Sequence, residues 1–262
     1  MTVRLEAASS LSSRELAALF TRAYENYYVP VQVDEAALET MTRTFDIDAD
    51  AGLVAVEDGE AVGLVNFGVR GERGWIGGLG VVAEARRKGL GRRLMEAVHE
   101  RARERGIREI SLEVIEANEP AFHLYQDLGY EFLRWLEIGS LEHSSAEPPQ
   151  EAGWQAAHER IRAARVMREP WQRDDETLSQ YDDLRGLTTD SGAAVYRVAG
   201  GGHVVLMQFT GDEMAARETL ESLRALAPVS LFNVPEGDPL MGAFKRLGGT
   251  VALRQRELRL SL

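Results

Sequence analysis

Apolar and polar residues alternate in two rhythms along this chain, and the switches between them mark out its elements. "TVRLEAA" has the two-residue period of a strand. In "SSRELAALFTRAYENYY" Leu16, Leu19, Phe20 and Tyr24 fall on one helical face, and Ser12 and Glu15 stand at capping-box spacing. Asp34 opens a second helix, "EAALETMTRTF". "AGLVAVE" and "AVGLVNFGVR" are strands joined through Asp58-Gly59, a hairpin signal. The strand "WIGGLGVV" then runs into "GLGRRLMEAVHERARERG". That helix carries Leu90, Leu94, Ala97, Val98 and Ala102 along one side and stops at Gly106. "REISLEVI" is a strand. "NEPAFHLYQDLG" is a helix with Asn118 as its cap, Pro120 in its first turn and Gly129 past its end, and "YEFLRWLEI" closes as a strand. The order is β-α-α-β-β-β-α-β-α-β. It predicts an α/β protein with a mixed sheet flanked by helices.

After this the pattern lapses. "EHSSAEPPQEAG" has no apolar periodicity and reads as a linker, the alternative being a long surface loop. "WQAAHERIRAARVM" reads as a helix packing across the junction. A repeat follows: "ISLEVIEANEPAFHLYQDLGYEF" from Ile110 and "VSLFNVPEGDPLMGAFKRLGGTV" from Val229 align without a gap. Ser111/Ser230, Leu112/Leu231, Pro120/Pro239, Leu128/Leu247 and Gly129/Gly248 are identical. Upstream, "AAVYRVAGGGHVVLMQFTG" is a hairpin and "DEMAARETLESLRAL" a helix. The expected division is a domain over 1–143, a linker and junction helix over 144–170, and a second domain over 171–262.

Composition narrows the chemistry. With 262 residues the chain can form one large domain or two small ones, and its 44% hydrophobic and 27% charged residues are those of a globular protein. No apolar run is long enough to span a bilayer and the N-terminus lacks a secretory apolar stretch, so a cytoplasmic protein without a membrane partner is expected. Cysteine is absent, which excludes disulfides, thiolate metal sites and a cysteine nucleophile. The five histidines show no H-E-x-x-H spacing, so no metal is expected. A net charge of −12 argues against nucleic acid as a partner.

Against that acidic background, "ARRKGLGRR" stands out. Placed between a strand and a helix, it combines three features that suit a diphosphate. The first amides of a helix lack intrahelical partners and lie at the positive end of the macrodipole. Gly89 and Gly91 leave the backbone free to curl around an anion. Arg86, Arg87, Lys88, Arg92 and Arg93 raise the local potential. G-x-x-x-x-G-K-[ST] is absent, and the third glycine of G-x-G-x-x-G is missing. A solvated basic helix start is the plain alternative.

"LGVVAEARRKGLGRRLM" resembles the acetyl-CoA motif of the GCN5-related N-acetyltransferase (GNAT) family, [RQ]-x-x-G-x-[GA], with Arg86, Gly89 and Gly91 in place. "NEPAFHLYQDLGY" resembles the family's later motif through Asn118, Ala121, Tyr125, Gly129 and Tyr130. The resemblance covers roughly residues 1 to 141 and implies an acyl-CoA N-acyltransferase-like fold, here in tandem. It implies that the strand ending at Leu79, Gly80 and Val81 splays from its neighbour and that its backbone holds the pantetheine arm. The Val81 amide would stabilise the oxyanion. Arg86, Arg87, Lys88, Gly89, Leu90, Gly91 and Arg92 would hold the pyrophosphate, and Asn118 the cofactor arm. Tyr125 would protonate the departing thiolate. Read without the motif, Asn118 is a helix cap and Tyr125 a core aromatic.

The reaction implied is direct transfer of the acetyl group of acetyl-CoA, as cosubstrate, to an amine on a small molecule or peptide. The alternatives are an acyl-CoA-binding module that senses without turnover, or an acyltransferase using another acyl-CoA. Tyr27, Tyr28, Asn66 and Trp75 are the acceptor-pocket candidates, and the glycine-rich strand leaves room for a bulky acceptor. Several relatives carry a glutamate on that strand; here Gly77 and Gly78 replace it, leaving Glu72 and Glu113 as candidate bases. In the second half Phe244 stands at the position of Tyr125, Gly237 at that of Asn118, and no Arg-x-x-Gly-x-Gly follows "VVLMQF". That half reads as a degenerate copy that completes the pocket, forms a homodimer face or covers the first domain's sheet.

Overall fold

A computed structural model describes residues 3–145 and 152–262. The chain forms two compact units, residues 1–133 with 257–262 and residues 134–256.

The first unit contains β1 (Val3–Ala7), α1 (Ser13–Ala23), α2 (Glu35–Thr44), β2 (Leu53–Glu57), β3 (Glu60–Arg70), β4 (Arg73–Val81), α3 (Leu90–Glu104), β5 (Glu109–Ile115) and α4 (Glu119–Asp127). Local chemistry sets most of their ends. Ser12 and Glu15 form the reciprocal capping box of α1, and Asp34 accepts from the Ala37 amide at 2.8 Å. Asp58 and Gly59 turn the β2–β3 hairpin with φ of 51° and 87°. β1 to β4 are antiparallel neighbours, and β5 joins β4 in parallel. Helices cover both faces. Gly80 looks toward Ala23 and Tyr24 at the end of α1, whereas Gly63, paired with the adjacent Val81, looks toward Leu94 of α3. Phe20, Leu64, Phe67, Leu94, Ile110 and Leu112 lie in this core, each worth roughly 1.5–3 kcal/mol in burial.

The boundary departs from the expected 143. It falls inside β6 (Glu131–Leu141), whose residues from Arg134 onward belong to the second unit, where β6 pairs with β10 (Val229–Pro235). The strand beside β5 comes instead from the end of β11 (Thr250–Ser261), whose Leu258 and Leu260 are core residues of the first unit. Each half's last strand thus completes the other unit's sheet. Hydrophobic alternation predicts a strand but not which edge it joins.

The second unit also holds α5 (Trp154–Ala164), α6 (Asp175–Leu178), β7 (Arg185–Thr188), β8 (Ala193–Ala199), β9 (His203–Thr210), α7 (Glu213–Arg224) and α8 (Pro239–Arg246). The expected junction helix is α5. It packs on β7, β8 and β9 of its own unit, with Ala157 and Ile161 buried against Leu178, Val195 and Met207. It is therefore the counterpart of α1, which it matches in length. The repeat begins near residue 152, not 171. Even a β-bulge recurs: Gly77 is the extra residue opposite β3, and Met207 the extra residue opposite β8. Residues 146–151 of the expected linker lie outside the described residues.

Candidate functional site

Parallel pairing of β4 with β5 ends at Ile76↔Leu112, so the two strands part beyond that point. Antiparallel register then decides what the parted β4 exposes. The Val82 amide bonds to Val62 oxygen at 2.9 Å, so that pair exchanges hydrogen bonds and Gly63↔Val81 and Val65↔Leu79 do not. The N–H and C=O of Leu79 and Val81 consequently face the gap rather than β3. This is the splay that the resemblance implied.

A cleft of about 680 Å³ opens there. Leu79, Gly80, Val81, Arg86, Arg87, Gly89, Leu90, Gly91, Arg92 and Asn118 all line it, as do Tyr27 and Tyr28. At its mouth α3 begins on Gly89, whose φ of 75° is left-handed and whose missing side chain leaves the first turn without a side-chain cap or an acidic residue. By contrast α1, α2, α4, α7 and α8 are capped by Ser12, Asp34, Asn118, Asp212 and Asp238. The opening amides of α3 therefore keep their capacity for an anion.

Other expected residues are placed differently. Lys88 does not line this cleft; its ammonium lies 3.5 Å from Glu57. Arg86 lines it, yet its guanidinium donates to the carbonyls of Val81 at 2.8 Å and of Ala23 and Glu25 at 3.1 Å each. A guanidinium held by three carbonyls is a tie between backbone segments. The Arg92 side chain bonds Asp127 at 2.7 Å. Tyr125 is buried behind the lining; its helix neighbours Ala121 and Leu124 reach the cleft instead. Burial, then the nearby Tyr27, hold its phenol well above the ordinary tyrosine range, so it carries its proton at neutral pH. Its ring lies 5.8 Å from that of Tyr130, which hydrogen-bonds His99 at 3.0 Å. Sequence reasoning missed His99, since one buried histidine on a helix carries no spacing signal.

Asn118 both caps α4, accepting from the Ala121 amide at 3.3 Å, and donates to Tyr27 Oη at 3.4 Å. Tyr24, Tyr27 and Tyr28 stand edge to face in series, with centroids 4.9 and 5.3 Å apart. Asn66 and Trp75 are buried away from the cleft lining. Trp75 packs edge-on to Phe45 and donates its indole N–H to Glu113 at 2.9 Å. The room expected beside the glycine-rich strand is already filled. A Cβ on Gly77 would meet the Trp75 ring at 2.6 Å, one on Gly78 the Tyr24 hydroxyl at 3.0 Å, and one on Gly80 the Ala23 Cβ at 2.8 Å. These glycines admit α1 and Trp75 rather than an acceptor. Of the candidate bases, Glu72 lies before β4, at the opposite end from the cleft, and pairs with Arg108 at 3.1 Å. Glu113 is the first residue of β5 past the last pairing.

The second unit has a smaller cleft, about 350 Å³, at the corresponding place. Ala164–Glu169 replace Ala23–Tyr28, and Phe209, Thr210 and Gly211 replace Leu79, Gly80 and Val81. Arg165 there is tied up by two hydrogen bonds to Asp175, at 3.0 and 2.7 Å. Asp212 accepts from the Ala215 amide at 2.9 Å and closes the start of α7 with a negative charge. Phe244 is fully buried.

Parted strands beside a glycine-opened helix N-terminus define the acyl-CoA N-acyltransferase fold. Residues 14–130 match the model of the acetyltransferase (GNAT) family, and the chain carries a GNAT acetyltransferase domain there. Solved structures similar over the whole chain include a GCN5-related N-acetyltransferase from Sphaerobacter thermophilus, 15% identical over 99% of this chain and 95% of that one, TM-score 0.71. A tandem GNAT protein from the clavulanic acid biosynthesis pathway is 13% identical over 99% and 98%, TM-score 0.63. A GCN5-related N-acetyltransferase from Kribbella flavida is 19% identical over 100% and 71%, TM-score 0.59. These likenesses support the tandem fold. Among the described residues no helix is long and apolar enough to cross a membrane, and no group of three or more acidic or histidine side chains could hold a metal.

Proposed function

We propose that the first unit transfers the acetyl group of acetyl-CoA to an amine. The observation that carries this reading is the uncapped, glycine-opened start of α3 at the mouth of a cleft walled by a parted strand. The residues fit the cosubstrate: the opening amides of α3 suit its diphosphate, Arg87 adds positive potential, and the backbone of Leu79 and the amide of Val81 face the cleft rather than β3, the Val81 carbonyl being held by Arg86. Acetyl-CoA would supply the thioester acyl group. The Val81 amide is a fixed dipole for negative charge developing in the gap. Tyr125, kept protonated by burial, is the proton source for the leaving thiolate. The attacking amine gives up its proton to solvent in the cleft, since Glu113 is turned to the Trp75 indole and does not line it. Tyr27 and Tyr28 wall the acceptor side.

The second unit holds no coenzyme A on this reading, because Asp212 occupies the helix start that Gly89 leaves open. One observation favours a second reading, an acyl-CoA sensor without turnover: Tyr125 does not itself line the cleft. Calorimetric titration with acetyl-CoA, followed by a screen of small-molecule and peptide amines for release of free thiol, separates the two. Binding at one site per chain with thiol release for an amine supports the enzyme. Binding without release across the screen gives the sensor, and absence of binding refutes both.

A further inference from the structure

We propose that Arg86 is a positioning residue that couples the anion-binding loop to the aromatic wall of the cleft. The proposal rests on the reading of this cleft as a coenzyme A site. Arg86 follows the single turn Ala83–Ala85 and leads directly into Arg87, Lys88 and Gly89, so it belongs to the loop. Its side chain, however, leaves that loop. Nε reaches the Val81 carbonyl, and Nη2 reaches those of Ala23 and Glu25, which lie 63 and 61 residues earlier.

Each acceptor is an oxygen that needs a partner. The Ala23 carbonyl closes α1 without a partner inside the helix, and Glu25 lies just past it, both at the helix's negative end, where a cation is favoured. Val81 oxygen faces the gap, where β5 no longer pairs with it. One planar fork of donors satisfies all three, and its rigidity transmits displacement between them. Immediately beyond Glu25 the chain turns through Asn26, whose φ of 59° is unusual for a non-glycine residue, and then presents Tyr27 and Tyr28 to the cleft. Tyr27 is joined in turn to Asn118. An anion that immobilises the Gly89–Arg92 amides therefore also immobilises Arg86, and through it the end of α1 and the acceptor-side wall.

Hydrogen exchange resolved to the Tyr24–Tyr28 segment tests this on the full chain, with coenzyme A as the probe and calorimetry run in parallel. In the wild type coenzyme A should slow exchange of this segment. In Arg86→Ala the segment should exchange about tenfold faster without ligand, and coenzyme A should no longer slow it. The affinity for coenzyme A should fall by no more than about tenfold, since charge-assisted contacts from the loop backbone remain. Arg86→Lys, which keeps the charge but not the fork, should restore the affinity and only part of the protection. Unchanged exchange of Tyr24–Tyr28 in Arg86→Ala overturns the proposal. So does complete loss of coenzyme A binding with this segment undisturbed, which would make Arg86 a phosphate ligand. A wild type that fails to bind coenzyme A defeats the functional reading instead, and the ligand-free exchange rates still decide the role of Arg86. Circular dichroism of each variant guards against misfolding, and Arg86→Gln replaces the alanine variant if that one does not fold.

Discussion

Gly89→Asp would give the first unit the feature that closes the second. At the start of α7 the Asp212 carboxylate accepts from the Ala215 amide at 2.9 Å; at the start of α3 Gly89 leaves the corresponding amides open. An aspartate at position 89 would turn its carboxylate onto the amides of the first turn. A Cβ at Gly89 meets nothing within 4 Å, so the substitution creates no clash. The left-handed φ of 75°, unlike the extended backbone of Asp212, costs it roughly 1–2 kcal/mol. Thermal stability should therefore fall by about that much, with the fold kept. Coenzyme A binding should not survive. Losing two amide contacts to a charged phosphate removes about 3–6 kcal/mol. One added negative charge about 4 Å away contributes a further 1–4 kcal/mol of repulsion, depending on the effective dielectric. At about 1.4 kcal/mol per tenfold, affinity falls by at least about 10³-fold. Gly89→Ala is the control, because it carries the backbone strain without the charge and should lose far less. Calorimetry against coenzyme A reads both variants. If Gly89→Asp binds within about threefold of the wild type, α3 is not the diphosphate site.

Three further outcomes follow from the same geometry. Tyr125→Phe removes one buried hydroxyl and almost no volume; turnover of a verified amine should drop roughly 10²–10⁴-fold with acetyl-CoA affinity little changed, and wild-type turnover under chemistry-limited conditions would return Tyr125 to a packing role. Leu258→Ala deletes a fully buried side chain from the first unit's core; denaturant titration should show a loss of about 2–5 kcal/mol, and a change near zero would mean that residues 257–262 do not complete that unit. Burial, then the charge of Arg103, hold the His99 pKa at about 4 against an ordinary 6.5. The folded state therefore binds fewer protons than the unfolded one between these values. The stability tied to neutral His99 is full above pH 6.5 and declines as pH falls toward 4, by up to about 1.4 kcal/mol per pH unit. His99→Gln should flatten that segment of the stability profile; an unchanged slope would show that His99 does not titrate this way.

Much of the molecule was legible in its residues alone, and the reason is range. Caps, turns and helical faces are decided within a few positions, so Ser12, Asp34, Asp58-Gly59, Asn118 and Gly129 announce their elements wherever those elements pack. The same holds for the open start of α3, which needs only Gly89, Gly91 and the absence of a capping side chain. Even the closed second site is written locally, in Asp212. What the residues left undecided are choices of distant partner. A strand pattern such as that of β6 or β11 is satisfied by any complementary edge, and only tertiary packing sends Arg134–Leu141 to β10 and Glu257–Ser261 to β5. Arg86 carries the same motif chemistry whether its guanidinium meets a phosphate or three carbonyls; the position of the end of α1 selects the carbonyls. Gly77, Gly78 and Gly80 read as vacant space until α1 and the Trp75 ring are seen filling it. Tertiary packing determined which edge, which acceptor and which neighbour, because most of those choices depend on residues far along the chain, as with the Ala23 and Glu25 carbonyls 63 and 61 positions from Arg86.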